Sequence, residues 1–194
     1  MKNQQLGEAA PKRGNKITRW LGRTTLALVG WQIAGQPPNL PKFVAIGAPH
    51  TSNWDFPLGI LLFIALGLRV SWMGKESFVN GPGKRVWQWM GGVAINRHAT
   101  HGVVDQMIDV FNNQEKFVLG ITPEGTRRKV DKWKSGFYHI AQGAKVPIFP
   151  IEIDYRQKRL KLHPVFAPSG ELAVDLPQIQ SLYANTSAKI PDQF

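Results

Sequence analysis

The sequence predicts an α/β fold: a single domain with a central, mostly parallel (mixed) sheet, helices on both faces, and an additional N-terminal amphipathic helix. From residue 41 onward, short apolar or β-branched runs alternate with longer stretches of helical periodicity, which is typical of parallel strands joined by crossover helices. The 194 residues, 43% hydrophobic and 19% charged, are typical of a globular chain that buries its own core. The absence of cysteine excludes a disulfide scaffold, a cysteine-ligated metal and a thiol nucleophile.

The first part of the chain, residues 1–40, is predicted to be a basic arm that contains one amphipathic helix. Six residues, all but Thr24 apolar, recur at three- and four-residue spacing, as on one face of a helix: Ile17, Trp20, Leu21, Thr24, Leu28 and Trp31. The apolar run is short and is interrupted by Arg23, which argues against both a secretory signal and a membrane-spanning helix. We expect the helix to associate with an anionic membrane surface. The alternative is a basic surface helix that packs on its own domain.

Residues 41–194 are predicted to form the domain itself. Six strands are expected, the last of them antiparallel to the one before it: 43–47, 69–73, 92–95, 116–121, 146–153 and 159–166. Helices are expected between and after the strands, around 56–67, 83–90, 100–113, 136–143 and 174–184. The apolar run 59–67 is too short to span a membrane and is interpreted as a core helix. In sheets of this kind, ligands bind beyond the carboxyl ends of the strands.

The net charge of +11 predicts anionic partners, and its distribution along the chain narrows the choice. Residues 1–42 contain seven basic and one acidic group, and residues 43–150 contain twelve and seven. Residues 151–194 contain five of each, which argues against a continuous basic coat for nucleic acid. We therefore expect an anionic membrane surface and an anionic substrate as partners, and no nucleic acid.

His50 and Asp55 follow the first predicted strand of the domain. A neutral imidazole can accept a proton at pH 7, and a carboxylate on its other nitrogen fixes the tautomer and stabilises the imidazolium. Five residues of regular helix would splay the two side chains, but a loop turning into a helix can bring them together, with Ser52 or Asn53 as the cap. Ser52 lacks the sequence context of a nucleophile. The pair is therefore interpreted as a base that activates a substrate hydroxyl, unless the spacing arises by chance.

The segment Glu124-Gly125-Thr126-Arg127 follows another predicted strand. A turn with glycine exposes backbone N–H groups, and the Arg127 guanidinium matches the geometry of a phosphate. Lys75 and Arg97 follow two further strands at the same edge of the sheet, which favours phosphate binding over an ordinary polar turn with a surface arginine. No group of His, Asp and Glu residues has the spacing of a zinc site, so we expect no metal.

Four segments together give the sequence a resemblance to the 1-acylglycerol-3-phosphate acyltransferases (PlsC-type), within the wider glycerolipid acyltransferases. The resemblance covers about residues 41–155. His50 to Asp55 resembles the first family motif, H-x-x-x-x-D, and the strand that ends at Arg97 resembles the second. Glu124 to Arg127 is identical to the third motif, and Val146 to Pro150 is similar to the fourth. The four segments also occur in the family's order.

The resemblance implies a function. His50 would deprotonate the free hydroxyl of a lysolipid, Asp55 would orient His50, and the hydroxyl oxygen would attack an acyl-carrier-protein or coenzyme A thioester without an acyl-enzyme. Lys75, Arg97 and the segment from Glu124 through Gly125 and Thr126 to Arg127 would bind the phosphate, with Glu124 bracing the loop. The expected product is phosphatidic acid, made from 1-acylglycerol-3-phosphate without a cofactor. The expected location is peripheral, on the cytoplasmic face of the inner membrane.

Two alternatives remain open from the sequence. The acceptor can be another lysolipid, such as a lyso-ornithine lipid or a lysophospholipid, because short members of the family vary in their acceptor. The chain can also be a basic binding module for membrane or nucleic acid without catalysis, since it combines its net charge of +11 with seven tryptophans.

Overall fold

The computed structural model describes residue 4, residues 6–96 and residues 102–193. The strands in this part of the chain are β1 (Gln32–Ala34), β2 (Lys42–Ala48), β3 (Trp72–Lys75), β4 (Gly92–Ile95), β5 (Phe117–Ile121), β6 (Ile148–Asp154) and β7 (Arg159–Leu162). The helices are α1 (Lys16–Leu28), α2 (Asp55–Leu66), α3 (Glu76–Val79), α4 (Lys84–Trp89), α5 (Val103–Asn113), α6 (Gly136–Gly143) and α7 (Leu172–Ser181). A 3₁₀ turn, Pro191–Gln193, follows α7.

Five strands form the main sheet in the order β1-β7-β6-β2-β5. Strand β2 is parallel to both of its neighbours, β5 and β6, and β1 is parallel to β7. The pair β6–β7 is antiparallel, as expected for the last two strands. Strands β3 and β4 form a parallel pair, which Ser71 links to β5 through hydrogen bonds to Val118 and Gly120. The predicted α/β architecture with a mostly parallel, mixed sheet is confirmed.

Two apolar clusters cover the two faces of the sheet, because alternate residues of a strand point to opposite faces. On β2, Phe43 and Ala45 join the cluster beneath α2, which includes Leu62 and Leu66. The intervening residues of β2 join the cluster beneath α5 and α6, which includes the following side chains: Val44, Ile46, Met107, Phe111, Phe137 and Ile140. The predicted placement of helices on both faces follows from this division of the core.

Most element boundaries lie close to the prediction, and the differences have local causes. Strand 92–95 and helix 136–143 have the predicted limits. Strand β7 ends at Leu162 rather than 166, because His163 donates to the carbonyl of Pro150 on β6 and Pro150 has no N–H to return the hydrogen bond. Farther along, the N–H of Phe166 donates to the carbonyl of Ile148. The short elements β1 and α3 were not predicted, and α7 begins and ends slightly earlier than expected.

Helix α1 packs on its own domain through the face that carries Gly22 and Leu26, and it leaves most of its large apolar residues exposed. Gly22 and Leu26 are buried, and Arg23 Nε donates to the carbonyl of Ala65 in α2. Most of the predicted apolar stripe is exposed instead: Ile17, Trp20, Leu21 and Leu28. Helix α1 therefore packs on its own domain while it presents an apolar face outward.

The predicted arm, residues 1–40, contributes to the same core as the rest of the chain. Trp31 is buried in the cluster beneath α2, and strand β1 pairs with β7. The proposed division at residue 40 stays a prediction. No helix within the part of the chain that the structure describes combines the length and the apolar character needed to cross a membrane.

The contact between α1 and α2 depends on the absence of a side chain at position 22. A Cβ at Gly22 would lie 2.8 Å from the backbone nitrogen of Ala65, so Gly22→Ala must push the helices apart. We expect a loss of about 1–3 kcal/mol in the free energy of unfolding, measured by urea denaturation. The matched control is Gly59→Ala in α2, where a Cβ meets no atom within 4 Å and a gain of up to about 1 kcal/mol is expected. Equal effects of the two substitutions would contradict this account of the packing.

Candidate active site

Two loops meet at the carboxyl edge of the sheet because β2 and β5 are parallel neighbours. Strand β2 ends at Ala48, and the loop that follows contains His50 and leads into α2. Strand β5 ends at Ile121, and the loop that follows contains Glu124 and Arg127. This is the edge at which parallel α/β sheets bind their ligands.

His50 and Asp55 form a hydrogen-bonded pair at this edge, with 3.2 Å between His50 Nδ1 and Asp55 Oδ2. Asp55 is the first residue of α2, and the same oxygen accepts the backbone N–H groups of Thr51 (2.9 Å) and Ser52 (2.8 Å). The loop therefore folds around the carboxylate, which brings together the two side chains that a regular helix would separate. Trp54 takes the N-cap position of α2 and makes no side-chain capping hydrogen bond. The prediction that Ser52 or Asn53 caps the helix is therefore wrong.

The environment of Asp55 favours its charged form. Burial acts to raise the pKa of Asp55, but hydrogen bonds from His50, Tyr155 and the backbone of Ser52 outweigh it and hold the pKa below its usual value. An ionised carboxylate only accepts hydrogen bonds, so the Nδ1 atom of His50 must carry the proton that it shares with Asp55. The other ring nitrogen, Nε2, is then left with a lone pair that can accept a proton.

Glu124 holds the backbone of the histidine rather than its ring. Its side chain is buried, and Oε1 accepts the backbone N–H of His50 at 3.0 Å. The other carboxylate oxygen, Oε2, has no hydrogen-bond partner among the described residues. Burial raises the pKa of Glu124, although hydrogen bonds from the backbone N–H groups of Glu124 and His50 act in the opposite direction.

The turn from Glu124 to Arg127 depends on a glycine with positive φ. Gly125 has a φ of +63°, in the left-handed region, and a Cβ there would approach Lys134 to 2.9 Å. The N–H of Gly125 donates to the carbonyl of Thr122, and Thr126 Oγ1 accepts the N–H of Arg128. The N–H groups of Gly125 and Arg128 are therefore already bonded within the turn. The side chain of Arg127 is then the main group of this turn that could bind an anion.

Arg127 joins the two loops and lines an open cleft of about 450 Å³. Its guanidinium donates to the side-chain oxygen of Asn53 in the His50 loop. The cleft is lined by both loops and by the C-terminal segment, through Thr51, Ser52, Asn53, Trp54, Arg127, Arg128, Ile190 and Gln193. The C-terminal segment is attached by the N–H of Ile190, which donates to Thr51 Oγ1, and by Lys189, whose Nζ lies 4.8 Å above the ring of Trp54.

The structure brings together His50, Asp55, Glu124 and Arg127 at the ends of β2 and β5. Lys75 ends β3 at the same edge of the sheet, beyond β5 as seen from β2, and its side chain is exposed. Arg97 lies outside the described residues. Gly125 and Thr126 lie in the turn between Glu124 and Arg127, and their predicted contact with a phosphate stays a prediction.

Two residues remote along the chain also contribute to the site, and the sequence analysis does not predict them. Tyr155 follows β6, the strand beside β2, and its hydroxyl donates to Asp55 Oδ1 at 2.5 Å. Gln193, in the 3₁₀ turn, forms part of the cleft wall. Tyr155 could have been found from the rule that side chains after neighbouring parallel strands converge, whereas no local pattern marks Gln193.

Comparisons with known proteins agree with this architecture. The acyltransferase family model matches residues 38–154. A curated relative from Haemophilus influenzae, a 1-acyl-sn-glycerol-3-phosphate acyltransferase, is 25% identical over 164 residues. The alignment covers 79% of this chain and 66% of the relative, so the chain spans just under two thirds of the relative's length. The crystal structure of PlsC from Thermotoga maritima, a 1-acyl-sn-glycerophosphate acyltransferase, has a similar fold, with a TM-score of 0.56 at 20% identity, over 89% of this chain and 81% of that one.

The raised pKa of Glu124 makes stability depend on pH in a defined direction. Below its ordinary pKa, a buried carboxyl with a raised pKa makes its full favourable contribution to the free energy of unfolding. That contribution is lost as the pH rises through the pKa that the group has in the folded protein. Glu124→Gln keeps the Oε1 acceptor for His50 and stays neutral at every pH. We therefore expect this variant to be more stable than the wild type at pH 7, with an advantage that shrinks toward pH 4, as measured by chemical denaturation.

The exposed Glu115→Gln variant is the control for the loss of one negative charge. A stability difference between Glu124→Gln and the wild type that stays constant from pH 7 to pH 4, or grows in acid, would contradict the assignment.

Proposed function

The chain belongs to the acyltransferase family, and from this premise we propose that it transfers an acyl group from a thioester to the free hydroxyl of a lysolipid. The observation that carries the proposal is the pairing of His50 with the ionised Asp55 at the edge of a cleft lined by two arginines. The name of the Haemophilus influenzae relative supports 1-acylglycerol-3-phosphate as the acceptor and phosphatidic acid as the product. Acyl-carrier protein or coenzyme A carries the acyl group in this proposal.

His50 acts as the general base in the proposed reaction. Its Nε2 accepts the hydroxyl proton while the hydroxyl oxygen forms a bond to the thioester carbonyl carbon. Asp55, already charged, stabilises the imidazolium that results. The carbon–sulfur bond then breaks, and the proton on His50 passes to the departing thiolate. The acyl group moves directly between the substrates, so the reaction needs no nucleophile on the enzyme and no cofactor.

The cleft beside His50 is the proposed site for the phosphate of the acceptor. Arg127 and Arg128 contribute two guanidinium groups to its lining, and guanidinium matches phosphate in both charge and geometry. The contact between Arg127 and Asn53 holds the arginine against the loop of His50, so a phosphate bound there would lie close to the base. Lys75 and Arg97 remain candidates for further contacts with the acceptor.

The exposed apolar face of α1 is the proposed membrane-binding surface. Helix α1 runs antiparallel to α2. Arg19, near the start of α1, lies beside Gly67, which follows the end of α2. Trp31, just beyond the end of α1, contacts Tyr155, which binds Asp55 at the start of α2. The apolar side chains Leu28 and Val29 therefore lie toward the end of α2 that begins beside the active site. The exposed Trp54 and Phe56 lie at that same end of α2. We infer that the protein binds peripherally to an anionic membrane, on the cytoplasmic face of the inner membrane, with the cleft near the lipid surface.

The catalytic role of His50 is tested by offering a panel of lysolipids and both thioester donors to purified protein, with the products identified by mass spectrometry. We expect wild-type protein to form phosphatidic acid and His50→Ala to reduce kcat by about 10²–10⁴-fold, which is typical for the loss of a general base. The matched control is His139→Ala, at an exposed position on α6. Acylation of a different lysolipid would change the acceptor, whereas near-wild-type turnover by His50→Ala would overturn the mechanism.

The membrane role of α1 is tested by sedimentation with phosphatidylcholine vesicles, with and without phosphatidylglycerol. Trp20 is 62% exposed and Leu28 is 82% exposed, so replacing both with serine should not disturb the core. Because insertion of each side chain contributes about 1.5–3 kcal/mol, we expect the double variant to lose at least about tenfold in vesicle affinity. The control, Val174→Ser, removes an exposed apolar group from α7. An equal loss in the control would contradict a docking role for α1.

A further inference from the structure

Tyr155 occupies a position from which it can control the geometry of the His50–Asp55 pair. It directly follows β6 and lies one residue beyond the segment that the family model matches. We propose that Tyr155 is a positioning residue, whose hydroxyl holds the Asp55 carboxylate in the orientation that presents Oδ2 to His50 Nδ1. The inference rests on the proposed function, because it assigns a role within the same site.

The two oxygens of Asp55 have different tasks. Oδ2 accepts three hydrogen bonds, from the His50 ring and from the backbone N–H groups of Thr51 and Ser52. Oδ1 accepts the hydroxyl of Tyr155 at 2.5 Å, the one donor to this oxygen among the described residues. A carboxylate that is held at one oxygen alone can still rotate about its Cβ–Cγ bond. The bond from Tyr155 fixes the second oxygen and therefore the plane of the carboxylate.

Burial makes this bond important. The Asp55 side chain is only 2% exposed, so water has little access to replace a missing donor. Without the tyrosine hydroxyl, Oδ1 would be a buried charged oxygen without a partner, which is unfavourable. The carboxylate would then rotate to share the remaining donors between its two oxygens, and the bond to His50 would be strained or lost.

Tyr155 itself contacts both the N-terminal and the C-terminal segments of the chain. Its ring packs edge-to-face on Trp31, with 5.0 Å between the ring centroids, and Trp31 is buried between α1 and β1. Its backbone N–H donates to the carbonyl of Ser187 in the C-terminal segment. Burial and the neighbouring Asp55 raise the pKa of Tyr155, so its hydroxyl keeps its proton and remains a donor. Because this hydroxyl is bonded to Asp55, the proposed role of Tyr155 is exerted through Asp55.

The first test is Tyr155→Phe, which keeps the ring and its contact with Trp31 but removes the hydroxyl. We expect kcat to fall by about 10- to 100-fold, the range for a misplaced catalytic group, with KM for the acceptor and the donor unchanged. The matched control is Tyr138→Phe, because the hydroxyl of Tyr138 also donates to a buried carboxylate, that of Asp175, on the other face of the sheet. A similar kcat in the two variants would overturn the proposal.

The second test asks whether Tyr155 acts through Asp55. Tyr155→Phe is combined with Asp55→Asn, and kcat is measured for both single variants and the double variant. If the tyrosine works only by holding the carboxylate, its removal from the Asp55→Asn protein should change kcat by less than about twofold. Independent, multiplicative losses would assign the tyrosine a different role and overturn the proposal.

The third test does not depend on turnover and separates this inference from the proposed function. Nitrogen-15 NMR of the histidine side chains reports which ring nitrogen of His50 carries the proton, and His50→Ala identifies its signals. We expect the form protonated at Nδ1 to dominate in the wild type and in Tyr138→Phe, and to give way to a mixture in Tyr155→Phe. If no lysolipid were acylated, the proposed function would fail, yet these spectra would still decide the role of Tyr155. Identical His50 spectra in the wild type and Tyr155→Phe would overturn it.

Discussion

The arrangement of the site depends on the hydrogen bonds that the buried carboxylate of Asp55 accepts. Asp55 begins α2, draws in the backbone of the preceding loop through Thr51 and Ser52, and binds the ring of His50. Its second oxygen binds Tyr155, which connects it to the N-terminal segment through Trp31. A single charged group thus organises segments that are far apart in the sequence, and its burial makes each of its four hydrogen bonds necessary.

Two buried carboxyl groups lie after neighbouring parallel strands, and their environments shift their pKa values in opposite directions. Asp55 is surrounded by donors that outweigh its burial, so its pKa is lowered. Glu124 has an oxygen without a partner among the described residues, and its burial raises its pKa. Asp55 is therefore suited to stabilise a positive charge on the ring of His50, whereas Glu124 is suited to fix the backbone of the same residue. The ring of His50 is therefore bound by Asp55, and its backbone is bound by Glu124.

The sequence predicted the alternation of strands and helices, because buried parallel strands are apolar runs and crossover helices have a clear periodicity. It also predicted the pairing of His50 with Asp55, which depends on a short loop. It did not predict β1, whose three residues are too few to form a pattern. Periodicity identified the apolar stripe of α1 but not the face that packs, since the contact is made by Gly22, where a small residue permits close approach. No local motif marks Tyr155, whose contact with Asp55 joins residues 100 positions apart, and only the convergence of side chains after neighbouring parallel strands could have indicated it.

The connection between α1 and the active site has a consequence for a substrate that resides in a membrane. The segment that presents the apolar side chains of α1 continues directly into Trp31, which packs on Tyr155. Tyr155 in turn binds Asp55, so a short series of direct contacts connects the proposed membrane-binding surface to the proposed base. A lysolipid has its hydroxyl close to its headgroup, at the surface of the bilayer. An enzyme with its base fixed relative to its docking surface can therefore reach that hydroxyl without extracting the whole lipid into water, where exposure of the acyl chain is unfavourable.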